Sequence, residues 1–284
     1  MAVDINLLRE AYFTFDKPVP YELKSGSILQ ITPVLLQDSA IFNSSYGILN
    51  IDKNLSTEVE VIQMSYLQFL VDRIIPFIKD SKQQLVNLCL LCLGFKLPFI
   101  ATDEKNRPTL VDFVRDESSK ELSVRHIITT KEFDDIKRII LYQNLYNFDD
   151  EYINPELKAN MEEYDKLKEN NVVQPNLERR MAIISAHTGI NKTEQCSMTL
   201  RAHNALFAEV VGEVEYNNNK SVALYAGKGD NVQWIFQKAT GKYDKYITSV
   251  EQFNKSMGGD GYINRSAIQL GETLNSQYDK FIGG

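Results

Sequence analysis

Short apolar segments separated by polar turns constrain the fold of this chain more than any other feature. Residues 97–101 are apolar and residues 109–114 are mostly apolar, and the polar stretch between them, residues 103–108 (DEKNRP), is rich in turn-forming residues. This spacing predicts a β-hairpin. Residues 122–128 form a further strand candidate, and residues 27–34 show strand-like alternation. A small antiparallel sheet is therefore expected in the N-terminal part.

Helical patterns surround these segments. Between residues 59 and 77, apolar residues recur at intervals of three and four, which predicts one helix that Pro76 kinks or ends. The most apolar stretch, residues 85–94, is too short to span a bilayer, which takes about 20 apolar residues. It predicts a buried helix. Thr129 and Glu132 have capping-box spacing and predict the start of another helix.

Helical patterns dominate from residue 150 onward. Pro155 stands at the first position of one predicted helix, and a second runs over about residues 177–187. A third, over about residues 198–216, is expected to end at three consecutive asparagines. The patterns together predict an α+β class that is helix-rich, with a small antiparallel sheet in the N-terminal part and a helical C-terminal part. The expected divisions are a mixed α+β domain at 1–150, a helical domain at 151–230, and a flexible or partner-ordered tail at 231–284.

Composition restricts the class of partner. The formal net charge is −7 and no run of Lys and Arg is present. No nucleic-acid partner is expected, because neutralising phosphates requires a clustered basic surface. Three sparse cysteines argue against a secreted disulfide framework, and the N-terminus lacks a signal-peptide pattern. We therefore expect no membrane partner, and synthesis and folding in the cytoplasm.

Two cysteines, Cys89 and Cys92, have the spacing of a redox pair or of half a zinc site. Both lie inside the most apolar stretch, where a small apolar residue is wanted in any case. Two buried structural thiols are the preferred interpretation. Because no second pair of this spacing exists, no metal and no cofactor are expected.

The three histidines are also interpreted structurally. His203 falls on the apolar face of its predicted helix, and His187 lies near a helix end, where a cation is favourable. His187 and His203 with Cys196 match no familiar zinc spacing. The sequence Gly-Lys-Gly-Asp at 227–230 lacks the spacing of a phosphate-binding loop. We therefore predict that the protein is not an enzyme, with an enzyme of unrecognised site as an alternative.

Two regions carry a resemblance to a known class of proteins. Pro18-Val-Pro-Tyr21, Ile31-Thr-Pro-Val34 and residues 61–70 (VIQMSYLQFL) resemble the N-terminal halves of tail or baseplate-hub assembly proteins of phages that infect Gram-positive bacteria. Residues 181–211, with Thr188-Gly-Ile190 between two predicted helices, are similar to the ending of phage tail-assembly chaperones. These motifs are structural and contain no catalytic residues. The resemblance covers about half of the chain.

The resemblance implies a phage-encoded protein that acts through protein–protein contacts. It would be an assembly chaperone or hub component whose partners are other tail or baseplate proteins. Copies of the chain itself are a further possible partner, as a homo-oligomer. Its expected place is the host cytoplasm during assembly. The alternative is a permanent structural protein of the baseplate, neck or tail, which would be found in the virion.

Four large side chains are predicted to contact partners. Met64 and Phe69 fall off the main apolar stripe of their predicted helix, although both are large and apolar. Tyr66 and Trp234 belong to residue types that are favoured at interfaces. If Met64 and Phe69 are instead core residues, replacing them with polar residues would unfold the chain.

Overall fold

A computed structural model describes residues 3–115, 121–151, 153–168 and 175–227. These residues form ten α-helices and five β-strands. The helices are α1 (Ile5–Ala11), α2 (Ser39–Ser45), α3 (Val59–Gln63), α4 (Tyr66–Phe69), α5 (Ser81–Leu93), α6 (Thr130–Asn144), α7 (Pro155–Lys168), α8 (Leu177–Thr188), α9 (Lys192–Cys196) and α10 (Leu200–Tyr225). The strands are β1 (Val19–Glu22), β2 (Ile28–Ile31), β3 (Leu97–Thr102), β4 (Pro108–Arg115) and β5 (Leu122–Ile128). The predicted α+β class is confirmed.

The strands form two small antiparallel sheets. β1 pairs with β2, and β3, β4 and β5 form a sheet in that order. The predicted hairpin is confirmed, with Leu97 opposite Phe113 and Thr102 opposite Pro108. Its turn is closed by Asp103, whose carboxylate accepts from the Arg107 side chain and from two backbone amides of the turn.

Local capping signals place the helix ends. Helix α5 ends at Gly94, which has a φ of 61°. This left-handed conformation favours glycine because it has no Cβ. Helix α6 begins with the predicted capping box, in which Thr129 and Glu132 bond each other's backbone amides. Helix α8, predicted over about residues 177–187, ends at Gly189, which has a φ of 77°.

The hydrophobic core lies between the helices and one face of the larger sheet. Leu110 and Ile128 face inward from β4 and β5, and the core also holds Leu67 of α4, Leu88 of α5 and Ile136 of α6. Each of these side chains is at most 2% exposed. No helix among the described residues combines the length and apolarity needed to cross a membrane.

The predicted helix over residues 59–77 is wrong as a single element. Helix α3 ends at Gln63, and Met64 has an extended backbone (φ −59°, ψ 147°). Ser65 then caps the new helix α4 by accepting from the Gln68 amide at 3.3 Å. A π-helical turn, Leu70–Ile74, follows directly. The break turns the faces of the two segments independently, so that Tyr66 and Phe69 are buried while Val59 is 65% exposed.

Helix α10 continues through the asparagines that were expected to end it. It runs to Tyr225, nine residues beyond the predicted end. Asparagine is only mildly unfavourable inside a helix, by up to about 0.7 kcal/mol relative to alanine. Three in succession therefore do not stop a helix in the way that proline or glycine would.

The expected domain boundary at residue 150 stays a prediction. The described residues 3–115, 121–151, 153–155 and 175–227 belong to one compact unit, and residues 156–168 of helix α7 belong to a second. Helices α8, α9 and α10 thus belong to the first unit. The backbone amides of Leu36 and Leu200 donate to the carbonyls of Met198 and Val34, each at 2.8 Å. The predicted tail at 231–284 lies outside the described residues.

Candidate functional site

Two of the four predicted partner-contacting residues are in the core. Tyr66 is 4% exposed and Phe69 is 6% exposed, and their rings meet edge to face at 5.8 Å. Met64 is half-buried against the same core. Trp234 lies outside the described residues. The expectation that Tyr66 and Phe69 present free surface is therefore wrong, because the break at Met64 rotates helix α4 toward the core.

Tyr66 is instead a structural anchor. Its hydroxyl donates to the Ile48 carbonyl at 2.8 Å and accepts from the Ile51 amide at 3.1 Å, and burial raises its pKa. The Lys137 ammonium lies 3.6 Å from the ring centroid, a cation–π contact. Burial lowers the pKa of Lys137 to about 8, although the neighbouring carboxylate of Asp134 acts in the opposite direction. These contacts tie helix α4 to helix α6.

The cysteine pair is buried, as predicted. Cys89 and Cys92 are at most 1% exposed and are not bonded to each other. Burial raises the pKa of the Cys89 thiol to about 12 and also raises that of Cys92. Both remain protonated at neutral pH, so neither has the thiolate character that redox chemistry requires. Within the described ranges, no group of three or more His, Cys, Asp or Glu side chains could hold a metal ion.

The histidine of helix α10 is fully buried. His203 is 0% exposed, and neither ring nitrogen has a hydrogen-bond partner that satisfies distance and angle within the described part of the chain. Burial and the charge of Arg180 lower its pKa, while the nearby Asn204 side chain acts weakly in the opposite direction. The lowered pKa favours the neutral form of the ring. His187 lies in the exposed last turn of helix α8, at the predicted helix end.

One serine lies within hydrogen-bond distance of a histidine. The hydroxyl of Ser27 is 3.1 Å from Nδ1 of His126, whose ring stacks on Phe95. Asp112 sits opposite His126 on β4. Its carboxylate, however, accepts from Nε of Arg125 at 2.6 Å and from the backbone amides of residues 96 and 97. The acid is therefore engaged elsewhere and does not orient the imidazole as a nucleophilic triad requires.

A cavity of about 550 Å³ lies beside the start of helix α10. Its charged lining residues are Asp16 and Asp38. Asp16 already accepts from the Thr199 hydroxyl at 2.6 Å. No histidine, cysteine, lysine or arginine lines this cavity among the described residues, so the two carboxylates face no catalytic partner there.

The outer face of the three-stranded sheet is the most unusual surface of the described molecule. It is formed by six side chains that point away from the core: Leu97, Phe99, Phe113, Leu122, Val124 and Ile127. Five of them are between 39% and 58% exposed, and Phe113 is half-buried. Antiparallel sheets with one solvated face normally carry polar residues there. This face is apolar instead.

The strand register makes the outer face continuous. Leu97 lies opposite Phe113, and Phe113 lies opposite Val124 on the next strand. Phe99 and Phe113 meet edge to face, with centroids 5.5 Å apart. Val111 lies opposite Phe99 on the same face, is 6% exposed and is not part of the main core. The apolar side chains of the three strands are therefore contiguous.

The residues of the outer face were not among the predicted contact residues, although their strands were predicted. A signal was present in the sequence. Residues 97–101 (LPFIA) are apolar at both odd and even positions, so both faces of β3 are apolar. A strand buried on one side only would alternate. Such a pattern predicts a second surface to be covered.

Comparisons of the chain with models of known protein families, with curated proteins and with solved structures found no match.

Proposed function

We propose that the protein acts by binding another protein through the outer face, as a phage tail or baseplate assembly protein without catalytic activity. The observation that supports binding is the continuous apolar surface of the sheet. Exposed apolar patches of several hundred Å² on a soluble chain commonly mark protein contacts. The tail or baseplate partner and the host cytoplasm as the place of assembly come from the sequence resemblance.

The size of the outer face suits a weak or transient contact. Its exposed side-chain fractions correspond to roughly 500 Å² of apolar surface, which at about 25 cal/mol per Å² gives a gross gain of roughly 12 kcal/mol on full burial. Association itself costs an estimated 4–15 kcal/mol in lost freedom, so the net affinity is moderate. A moderate affinity suits an assembly factor, which must release its partner.

Two substitutions on the outer face test the proposal directly. Phe99 and Val124 are 54% and 50% exposed, so changing both to aspartate places two charges on the face with little loss of core packing. A matched control is Phe77→Asp, because Phe77 is 78% exposed and lies outside the sheet. Tagged versions of each chain would be expressed during phage infection, and bound proteins identified by mass spectrometry.

The expected result is capture of a tail or baseplate protein by the unsubstituted chain and by the Phe77→Asp chain, but not by the double variant. Equal capture by all three would refute the outer face as the binding site. Purified phage particles distinguish the two structural roles, since a permanent virion component is present there at fixed stoichiometry and a chaperone is absent. If neither experiment finds the chain with phage proteins, the phage assignment is wrong.

A further inference from the structure

The dimensions of the outer face match a single α-helix. Neighbouring strands lie about 4.8 Å apart, so the outer strands of a three-stranded sheet are separated by about 10 Å. A helix with its side chains is about 10–12 Å wide. β3 has 6 residues and β4 has 8. At about 3.3 Å per residue this length is about 20–26 Å, which a helix of about 13–17 residues spans.

Both free edges of the sheet are protected against strand addition. β3 carries Pro98, which lacks the N–H that an added strand would need. On β5, Asp112 pairs with His126 and Phe113 pairs with Val124, so Arg125 is left over as a bulge. Bulges and edge charges disfavour pairing with another strand. The apolar face is exposed and both edges disfavour an added strand, so the partner packs on the face and does not extend the sheet.

The area of the face disfavours a second copy as the occupant. Roughly 500 Å² is below the roughly 800 Å² that each partner contributes to a standard stable interface. Two folded copies joined only by this face would therefore separate at ordinary concentrations. One helix needs no more than this area, and interfaces at the small end of the range are typical of transient contacts.

Positive charge at one end of the outer face would orient a bound partner. Arg115 lies opposite Leu122, on the outer face at one end of the sheet. Arg115 is exposed and forms no ion pair with another residue in the described ranges. Lys96 is at the same end, but strand alternation from Leu97 directs it to the other face. Acidic residues on a partner would therefore meet Arg115 there.

From these features we infer that the outer face receives one amphipathic α-helix of another protein, about 13–17 residues long, with acidic residues at the end that meets Arg115. This inference rests on the proposed function and specifies the partner chemistry at the same site. The helix places an apolar stripe, repeating at intervals of three and four residues, along the strands.

A displayed peptide library tests the inference without knowledge of the natural partner. The full chain would be panned against random 16-residue peptides, and peptides that also bind the Phe99→Asp/Val124→Asp variant would be removed. The expected survivors carry apolar residues at i, i+3, i+4 and i+7 with Asp or Glu near one end. Synthetic survivors should gain helicity on binding, as measured by circular dichroism.

A charge-reversal variant tests the acidic end of the partner helix separately. Arg115→Glu should weaken a survivor peptide by about tenfold at low salt and by less at high salt, because exposed charge pairs are screened. A peptide with its acidic residues changed to lysine should bind the Arg115→Glu chain more tightly than it binds the original chain. Equal binding of both peptides to both chains would overturn the acidic end.

Other outcomes overturn the helix itself. Survivors with apolar residues at every second position would show a strand as occupant. Self-association that is lost in the double variant, measured by sedimentation, would show a second copy. If no face-dependent peptide survives while tail-protein capture still requires the outer face, the helix inference fails and the proposed function stands. If that capture is also independent of the face, the proposed function fails with it.

Discussion

Two phenylalanines provide the sharpest test of which aromatic surface is core and which is free. Phe69 is 6% exposed and contacts Tyr66, so Phe69→Ala removes a buried ring and leaves a cavity. Such substitutions cost about 3–5 kcal/mol. Phe99 is 54% exposed, and its main ring contact is Phe113. An edge-to-face pair contributes about 0.5–1.5 kcal/mol beyond area, so Phe99→Ala should cost about 1–2 kcal/mol.

Urea unfolding followed by circular dichroism measures both variants. The difference between them should be at least about 1 kcal/mol, with Phe69→Ala the less stable and the slope with urea unchanged. Partner binding should show the opposite order. Phe99→Ala should weaken it more than Phe69→Ala does, because Phe99→Ala removes contact surface from the outer face. A Phe69→Ala chain as stable as Phe99→Ala, but defective in capturing its partner, would refute the assignment and restore helix α4 as the contact surface.

Three further predictions concern buried polar groups. Gln195→Ala should destabilise the chain by about 1–3 kcal/mol in urea unfolding, because the buried side-chain amide donates to the carbonyls of Met181 in α8 and Ile190 in the α8–α9 connection, and both would lose this donor. The folded-state pKa of His203 is lowered, so stability should fall as pH falls from about 6.5 toward that pKa, because the unfolded chain binds the proton more readily. His203→Leu should reduce this fall between pH 7 and pH 5, and an unchanged slope would contradict the burial of the ring. Iodoacetamide should label half-buried Cys196 in the native chain well before Cys89 or Cys92, as measured by peptide mass spectrometry.

The features that the sequence predicted well are those governed by neighbouring residues. The hairpin follows from a polar turn between two apolar segments, and the start of α6 follows from Thr129 and Glu132, three residues apart. The ends of α5 and α8 follow from Gly94 and Gly189. Each signal acts within about five residues, so no knowledge of the tertiary structure is needed.

The features that were missed depend on competition between local and distant contacts. The apolar spacing over residues 59–77 suits one helix, but Ser65 and Gln68 also have capping-box spacing, and the structure uses that serine to begin α4. Starting a new helix there buries Phe69 and lets Tyr66 bond the Ile48 carbonyl. The sequence contains both the apolar spacing and the capping signal, but the tertiary contacts decide which of the two determines the structure.

The location of the outer face also depends on tertiary contacts that the sequence alone does not reveal. Both faces of β3 are apolar, and the side that becomes the core is settled by helices distant in sequence, through Leu110 and Ile128 on the neighbouring strands. Once the inward side is fixed, Phe99 and Val124 must face outward. Their exposure lowers the solubility of the chain, and the net charge of −7 partly offsets this effect. Pro98 and the bulge at Arg125 oppose the addition of another strand at the two edges of the sheet. Protected sheet edges beside an exposed apolar face are the combination from which we propose a partner that packs on that face.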